Sequence, residues 1–261
     1  MPRSRIARPL HVLTWLVPLA AASAGCVGSS APSDPYALPG AHPPADASPA
    51  SGVLEGPIPA AGSKQSHFPL VDGASWTYQH TNLVDAPWEE GARVTAATYG
   101  GRDAFVLADE EDAKGEQTRS TLVIDGTRVY RTYKETAVGD EVAVTTSYDP
   151  AFLRYDEAWR EVGTGVTLDD DWTQRCVVAS SASNCAPGAM KLGSTSHTYT
   201  VLEVAAAITV PAGTFDAVKI QRDNVLDPET KLFWFAAGVG KVREQNPETG
   251  AVEELTAYEI P

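Results

Sequence analysis

Cysteine, methionine, histidine and positive charge are all scarce in this chain. Three Cys, two Met and five His occur in 261 residues, and 20 Lys plus Arg face 34 Asp plus Glu, a formal charge of −14. So acidic a balance excludes a phosphate-backbone reader, because nucleic-acid binding runs on clustered Lys and Arg. Reactive motifs are missing as well: there is no G-x-S-x-G, H-E-x-x-H, P-loop or C-x-x-C-H. His67, His80 and His197 stand far apart in sequence, which favours packed histidines over ligands or bases. Gly163-Thr164-Gly165 and Gly238-Val239-Gly240 lack the strand-to-helix setting of a nucleotide site and read as turns. The acidic runs Asp109-Glu110-Glu111-Asp112 and Asp169-Asp170-Asp171 lack the spaced ligands of a calcium loop and read as solvated turns. The expectation is a protein that is not an enzyme and that carries no metal and no cofactor.

What is present starts with an address. Arg3, Arg5 and Arg8 precede an apolar stretch from Leu10 to Ala22, the pattern of a bacterial export signal and too short to span a bilayer stably. Ser23-Ala24-Gly25-Cys26 follows, and these residues resemble a lipobox, which implies cleavage before Cys26 and lipidation of that residue. Ser23 stands where the lipobox prefers Leu, and cleavage after Ala24 at an A-x-A site is the alternative. Residues 1–25 are thus expected to be a lipoprotein signal peptide. Among lipoproteins an Asp just after the lipidated Cys favours inner-membrane retention; Val27 occupies that place here and points to the outer membrane. The predicted partner of the N-terminus is therefore a membrane, reached through a lipid anchor.

From 26 to 66 the chain is dominated by Pro, Ala, Ser and Gly and has too little apolar surface to offset the entropy of ordering, so it reads as a disordered linker. With Cys26 acylated, Cys176 and Cys185 remain as an even pair in an oxidising compartment and are expected to form a structural disulfide.

The stretch 67–261 reads as an antiparallel β-domain. Short alternating runs are separated by hairpin residues such as Gly100-Gly101, Asp125-Gly126 and Gly139-Asp140. Strands are predicted at 75–81, 93–99, 104–108, 121–124, 128–133, 142–148, 172–179, 196–210, 216–222, 231–236, 239–245 and 251–259. One segment departs from this pattern. Asp149-Pro150 looks like a helix opening and Gly163 like a stop, with Phe152, Tyr155, Trp159 and Val162 at spacings of three and four. A short amphipathic helix is expected there, docked on the sheet. Leu232-Phe233-Trp234-Phe235 is apolar on both faces of a strand, so that strand needs cover on both sides.

Three stretches carry a resemblance: His67 to Tyr78 (HFPLVDGASWTY), Thr209 to Phe215 (TVPAGTF) with Val218-Lys219-Ile220, and Trp234 to Val242 (WFAAGVGKV). Together they resemble a group of bacterial secreted proteins and lipoproteins of unknown function whose domain is similar to the lipoprotein carriers of the LolA and LolB type. The resemblance implies a mainly β fold, a curved antiparallel half-barrel of ten or more strands, here with one short helix. It also implies an apolar or acyl ligand in the concave face, with Phe152, Tyr155 and Trp159 as lid residues and Trp76, Tyr78, Phe233 and Trp234 as possible lining. The alternative is a structural or protein-interaction module at the cell surface with a filled core.

Overall fold

The structure is a computed structural model that describes residues 52–261 apart from 113–114, 140 and 179–185. The signal segment, Cys26, Cys185 and the first part of the linker lie outside the described residues.

Twelve strands follow one another: β1 (Ser75–Thr81), β2 (Trp88–Tyr99), β3 (Arg102–Asp109), β4 (Glu116–Asp125), β5 (Arg128–Val138), β6 (Glu141–Asp156), β7 (Gly165–Cys176), β8 (Met190–Val210), β9 (Gly213–Asn224), β10 (Glu229–Ala236), β11 (Gly240–Gln245) and β12 (Val252–Glu259). Each pairs with its neighbour in sequence, and β12 returns to pair with β1, so the sheet closes into an up-and-down barrel. The half-barrel expectation is corrected on this point. Seven register partners join β1 to β12, from Ser75↔Glu259 to Thr81↔Val252, so among the described residues no free edge remains to define an open concave face.

The expected helix is also corrected: no helix forms among the described residues. Residues 150–156 continue β6, with Phe152 opposite Arg131, Leu153 opposite Tyr130 and Tyr155 opposite Val129. Arg154 is the extra residue of a bulge between the last two pairs. A bulge lets residues at odd spacing share a face, which is how a stripe of threes and fours arises on a strand. An isolated helix of this length would be marginal, whereas the strand gains a ladder against the eleven residues of β5. The chain then turns at Ala158 and Glu161 makes a bridge to Val53.

The two walls differ in chemistry. Along β8 burial alternates from Val204 to Val210, with Glu203, Ala205, Ala207 and Thr209 exposed between buried Val204, Ala206, Ile208 and Val210. Exposed charges at Glu89 and Arg93 on β2, Asp169, Asp171 and Arg175 on β7 and Glu203 on β8 stud the outer wall. A lipid-facing barrel needs an apolar outer band about 25 Å tall. These charges interrupt any such band on the outer wall, and along β8 the buried apolar side chains are directed inward.

One end of the barrel is plugged. Ahead of β1, residues 53–72 fold across the end where the turns β4–β5, β6–β7 and β10–β11 gather, and there Phe68 and Leu70 are buried. Each contributes roughly 1.5–3 kcal/mol by leaving water. Gly62 packs so closely that a Cβ would collide with the Ile124 side chain, and its carbonyl accepts from Leu70 N at 2.9 Å. Arg160 clamps the start of the segment by donating to the carbonyls of Leu54, Glu55, Gly56 and Pro57. The folded unit therefore begins before residue 67, and the part of the expected linker from 53 to 66 belongs to the barrel.

Candidate functional site: the barrel lumen

The plug is pinned by a buried carboxylate. Glu157, 1% exposed, accepts from Ser66 Oγ at 2.6 Å and His67 N at 2.9 Å on one oxygen and meets His67 Nδ1 at 2.8 Å on the other. Ser66 Oγ in turn accepts from Phe68 N at 2.8 Å. A Ser, a His and a Glu side by side suggest a nucleophile, but the geometry is wrong for one. The hydroxyl donates to the carboxylate and not to the ring, so nothing on the ring can take its proton. This trio is a structural pin, and no sequence signal marks Glu157, hidden in a stretch that reads as helical.

Inside the plug lies a cavity of about 170 Å³ whose lining includes the apolar Phe68, Leu70, Trp76, Leu107 and Phe235 and the polar Tyr78, Asp109, Arg131, Arg154 and Lys241. Strand alternation puts Trp76 and Tyr78 on the inner face of β1. Their polar tips are satisfied, Trp76 Nε1 donating to Val239 O at 2.6 Å and Tyr78 Oη to Lys241 O at 3.1 Å. The Gly238-Val239-Gly240 turn presents that carbonyl, and Gly240 (φ 102°) sits where a Cβ would lie 3.3 Å from Trp76 Nε1. A second cavity of about 250 Å³ is lined by Lys134, Tyr148, Phe152, Trp172 and His197.

Of the seven predicted lining residues, Trp76 and Tyr78 line the first cavity, Phe152 the second, and Trp159 and Phe233 a narrow gap beside Arg154 and Arg222. Tyr155 instead packs among His67, Trp159 and Phe235 at ring distances of 5.8, 5.3 and 4.8 Å. Trp234 faces the opposite way from Phe233 and Phe235, onto the outer wall, held between Lys219 Nζ at 5.2 Å and Arg243 Cζ at 5.3 Å. The apolar run on β10 does need cover on both faces, and on the outside that cover is cationic stems. With no helix to carry them, Phe152, Tyr155 and Trp159 are wall and packing residues, not a lid.

Charges inside the barrel fall into two sets. Lys241 Nζ sits 2.7 Å from Glu253 and 3.0 Å from Glu244, and Lys231 Nζ 2.9 Å from Glu244, a closed network. Lys231 and Lys241 hold the Glu244 carboxyl well below the usual carboxylate range against the opposing effect of burial. The other set, Arg131, Lys134, Arg154 and Arg222, has no carboxylate within 4 Å among the described residues. Sequence reasoning missed these residues, which lie on three strands and share no motif.

The acidic runs are not both turns. Asp169-Asp170-Asp171 lies within β7, so alternation exposes Asp169 and Asp171 and buries Asp170 (3% exposed), which accepts from Thr195 Oγ1 and approaches His197 Nδ1 at 3.6 Å. His80 pairs with Glu90 at 3.1 Å and stacks on Trp88. Among the described residues no group of three His, Cys, Asp or Glu could hold a metal ion.

Asp109 closes β3 inside the lumen, where burial and then repulsion from Glu90 push its carboxyl up from 3.8 to about 6. A carboxyl raised by folding holds its proton more tightly in the native state. Its contribution is full below about pH 4 and is lost as pH rises through about 6. Asp109→Asn is expected to raise stability at pH 7.5 by about 1–2 kcal/mol, the shift being discounted for partial exposure, and to leave stability at pH 4 unchanged. Urea unfolding at the two pH values checks this; equal gains at both would remove the electrostatic explanation.

No family model matches the chain, and neither a curated protein nor a solved structure matches it at a significant level.

Proposed function

We propose that this chain is an exported, non-enzymatic binding protein of a bacterial cell envelope, anchored by lipid at Cys26, whose barrel lumen holds a small apolar or acyl ligand. The observation that carries the reading is the cavity of about 170 Å³ behind the plug, walled by Phe68, Trp76, Leu107 and Phe235. A pocket with an apolar wall and a few converging polar groups is the usual form of a small-molecule site. The anchor rests on the basic start, the short apolar segment and the small residues before Cys26, and Val27 favours the outer membrane. No nucleic acid takes part, given the acidic outer surface and net charge.

Native mass spectrometry of the full chain, expressed with its own signal in a bacterial host and released in mild detergent, tests this reading. An excess mass that extracts into organic solvent is expected, together with a diacylglyceryl group on Cys26. The mass should also be two hydrogens short, from a bridge between Cys185 and Cys176, which is buried at the end of β7. A clean apo mass would turn the reading to the alternative, a β-scaffold acting as a protein-interaction module on the cell surface.

A further inference from the structure

Three guanidinium groups meet at one ring inside the barrel. Arg131 of β5, Arg154 of β6 and Arg222 of β9 lie with Cζ 5.7, 6.0 and 5.7 Å from the centre of the Phe152 ring. All three are half-buried, Lys134 stands beside them, and Arg222 also covers Phe233 at 5.1 Å. Arg131 and Arg154 line the first cavity, Arg154 and Arg222 the narrow gap, and Lys134 and Phe152 the second cavity, so each of the three spaces has a cation of this set in its wall.

Such a cluster is costly by itself. Like charges brought together out of bulk water repel, and each loses hydration that only an opposite charge or a well-placed acceptor restores. Here Arg131 Nε is buried with no hydrogen-bond partner. Burial, then Arg131, then Arg222, bring the Arg154 guanidinium down to about 9, and burial followed by Arg131 lowers Lys134. Two acids facing the lumen make no ion pair with the cluster: Glu244 is held by two lysines, and Asp109, although it feels the charge of Arg131, comes within 4 Å of no arginine. In a chain with 34 acids and 20 bases, folding could have supplied a carboxylate partner at any of several inward positions. The ring of Phe152 answers only part of the need, since a cation–π contact is worth about 0.5–2 kcal/mol and three cations share it.

We propose that Arg131, Arg154 and Arg222 form an oxyanion site in the lumen, which takes the carboxylate or phosphate head of the ligand while its apolar part fills the cavity behind Trp76 and Phe235. The inference rests on the lumen-binding reading above and narrows it to an anionic amphiphile. Guanidinium groups suit such a head because their planar forks match carboxylate and phosphate oxygens two at a time. A cavity of about 170 Å³ has room for a short chain or a single ring.

The test uses the full chain, delipidated, with four probes: decanoate, decyl phosphate, decanol and inorganic phosphate, each followed by titration calorimetry and by the shift in thermal midpoint. Decanoate or decyl phosphate should bind at least about tenfold more tightly than decanol, and whichever of the two wins identifies the head group. Inorganic phosphate should raise the thermal midpoint and compete with both. Arg154→Gln and, separately, Arg222→Gln should abolish the preference over decanol while raising the midpoint of the ligand-free protein, because removing one of several crowded like charges relieves repulsion. Structural arginines would behave in the opposite way, their loss lowering that midpoint. Equal binding of decanoate and decanol would overturn the anion site and leave the apolar pouch standing. A response to inorganic phosphate with no alkyl probe bound would keep the anion site and remove the pouch, and silence from all four would overturn both.

Discussion

Replacing Glu157 by Ala is expected to lower the free energy of unfolding by about 3–5 kcal/mol and to free the plug. The reason is the density of donors on one carboxylate. Ser66 Oγ, His67 N and His67 Nδ1 all converge on it within 2.9 Å, and the glutamate is only 1% exposed. Alanine leaves every one of those groups buried and unsatisfied, each at a cost of about 1–3 kcal/mol before water enters. The damage should be local first: Gly238 N donates to Ser66 O at 2.9 Å and Phe68 N to Ser66 Oγ at 2.8 Å, so the segment loses its registry with the β10–β11 turn. Urea unfolding read by tryptophan fluorescence, with limited proteolysis between residues 53 and 72, measures both effects. A change under about 1 kcal/mol with unaltered proteolysis would mean the plug is held by apolar packing alone.

The second large effect is expected at Trp76. Trp76→Ala removes a side chain that is 7% exposed and packs against the plug, and it orphans the Val239 carbonyl that Nε1 reaches at 2.6 Å. Truncating a buried tryptophan costs about 3–5 kcal/mol. The void would merge with the cavity of about 170 Å³, so the variant should also lose affinity for an alkyl probe through a looser fit. Trp234→Ala is the matching control. Its ring lies on the outer wall between Lys219 and Arg243, and its loss should cost stability while leaving probe affinity unchanged. Equal losses of affinity in the two variants would show that the effect runs through general destabilisation and not through the cavity wall.

The strands were legible because their evidence is local. Alternation from Ser75 to Thr81 and the Gly- or Pro-containing turns mark elements whose ends agree with the fold to within a few residues in most cases. Six strands, β2 and β4 to β8, read short by five or more residues at one end, and for β6 and β7 the error has a visible cause. Asp149-Pro150 imitates a helix start, and the bulge at Arg154 gives Phe152 and Tyr155 a helix-like spacing on what is a strand. Triple Asp imitates a turn, although Asp170 has buried partners in Thr195 and His197 that only β8 supplies.

Closure was not legible at all. Whether the last strand pairs with the first is decided by curvature accumulated over the whole sheet, and nothing in residues 252–259 announces it. The candidate site divides in the same way. Aromatic residues could be nominated from composition, and Trp76, Tyr78, Phe152, Trp159 and Phe233 do border the lumen spaces. Which face of β10 looks inward, and so whether Phe233 or Trp234 lines the lumen, depends on registry. The arginines are separated by long stretches of sequence and become a cluster only when β5, β6 and β9 curve around one interior.

The lumen exists only if the chain closes on itself, and that is the claim to test most directly. Gln79 and Glu254 are register partners across the β1–β12 seam and point to the outer wall. Directly paired residues of antiparallel strands have Cα atoms about 4.5–5.5 Å apart, within disulfide reach. With Gln79→Cys and Glu254→Cys introduced together, mild oxidation of the folded protein should form one additional bridge, read as a further loss of two hydrogens and of both added thiols towards maleimide. Two added thiols that stay reactive, with native circular dichroism intact, would mean an open sheet and would contradict the account.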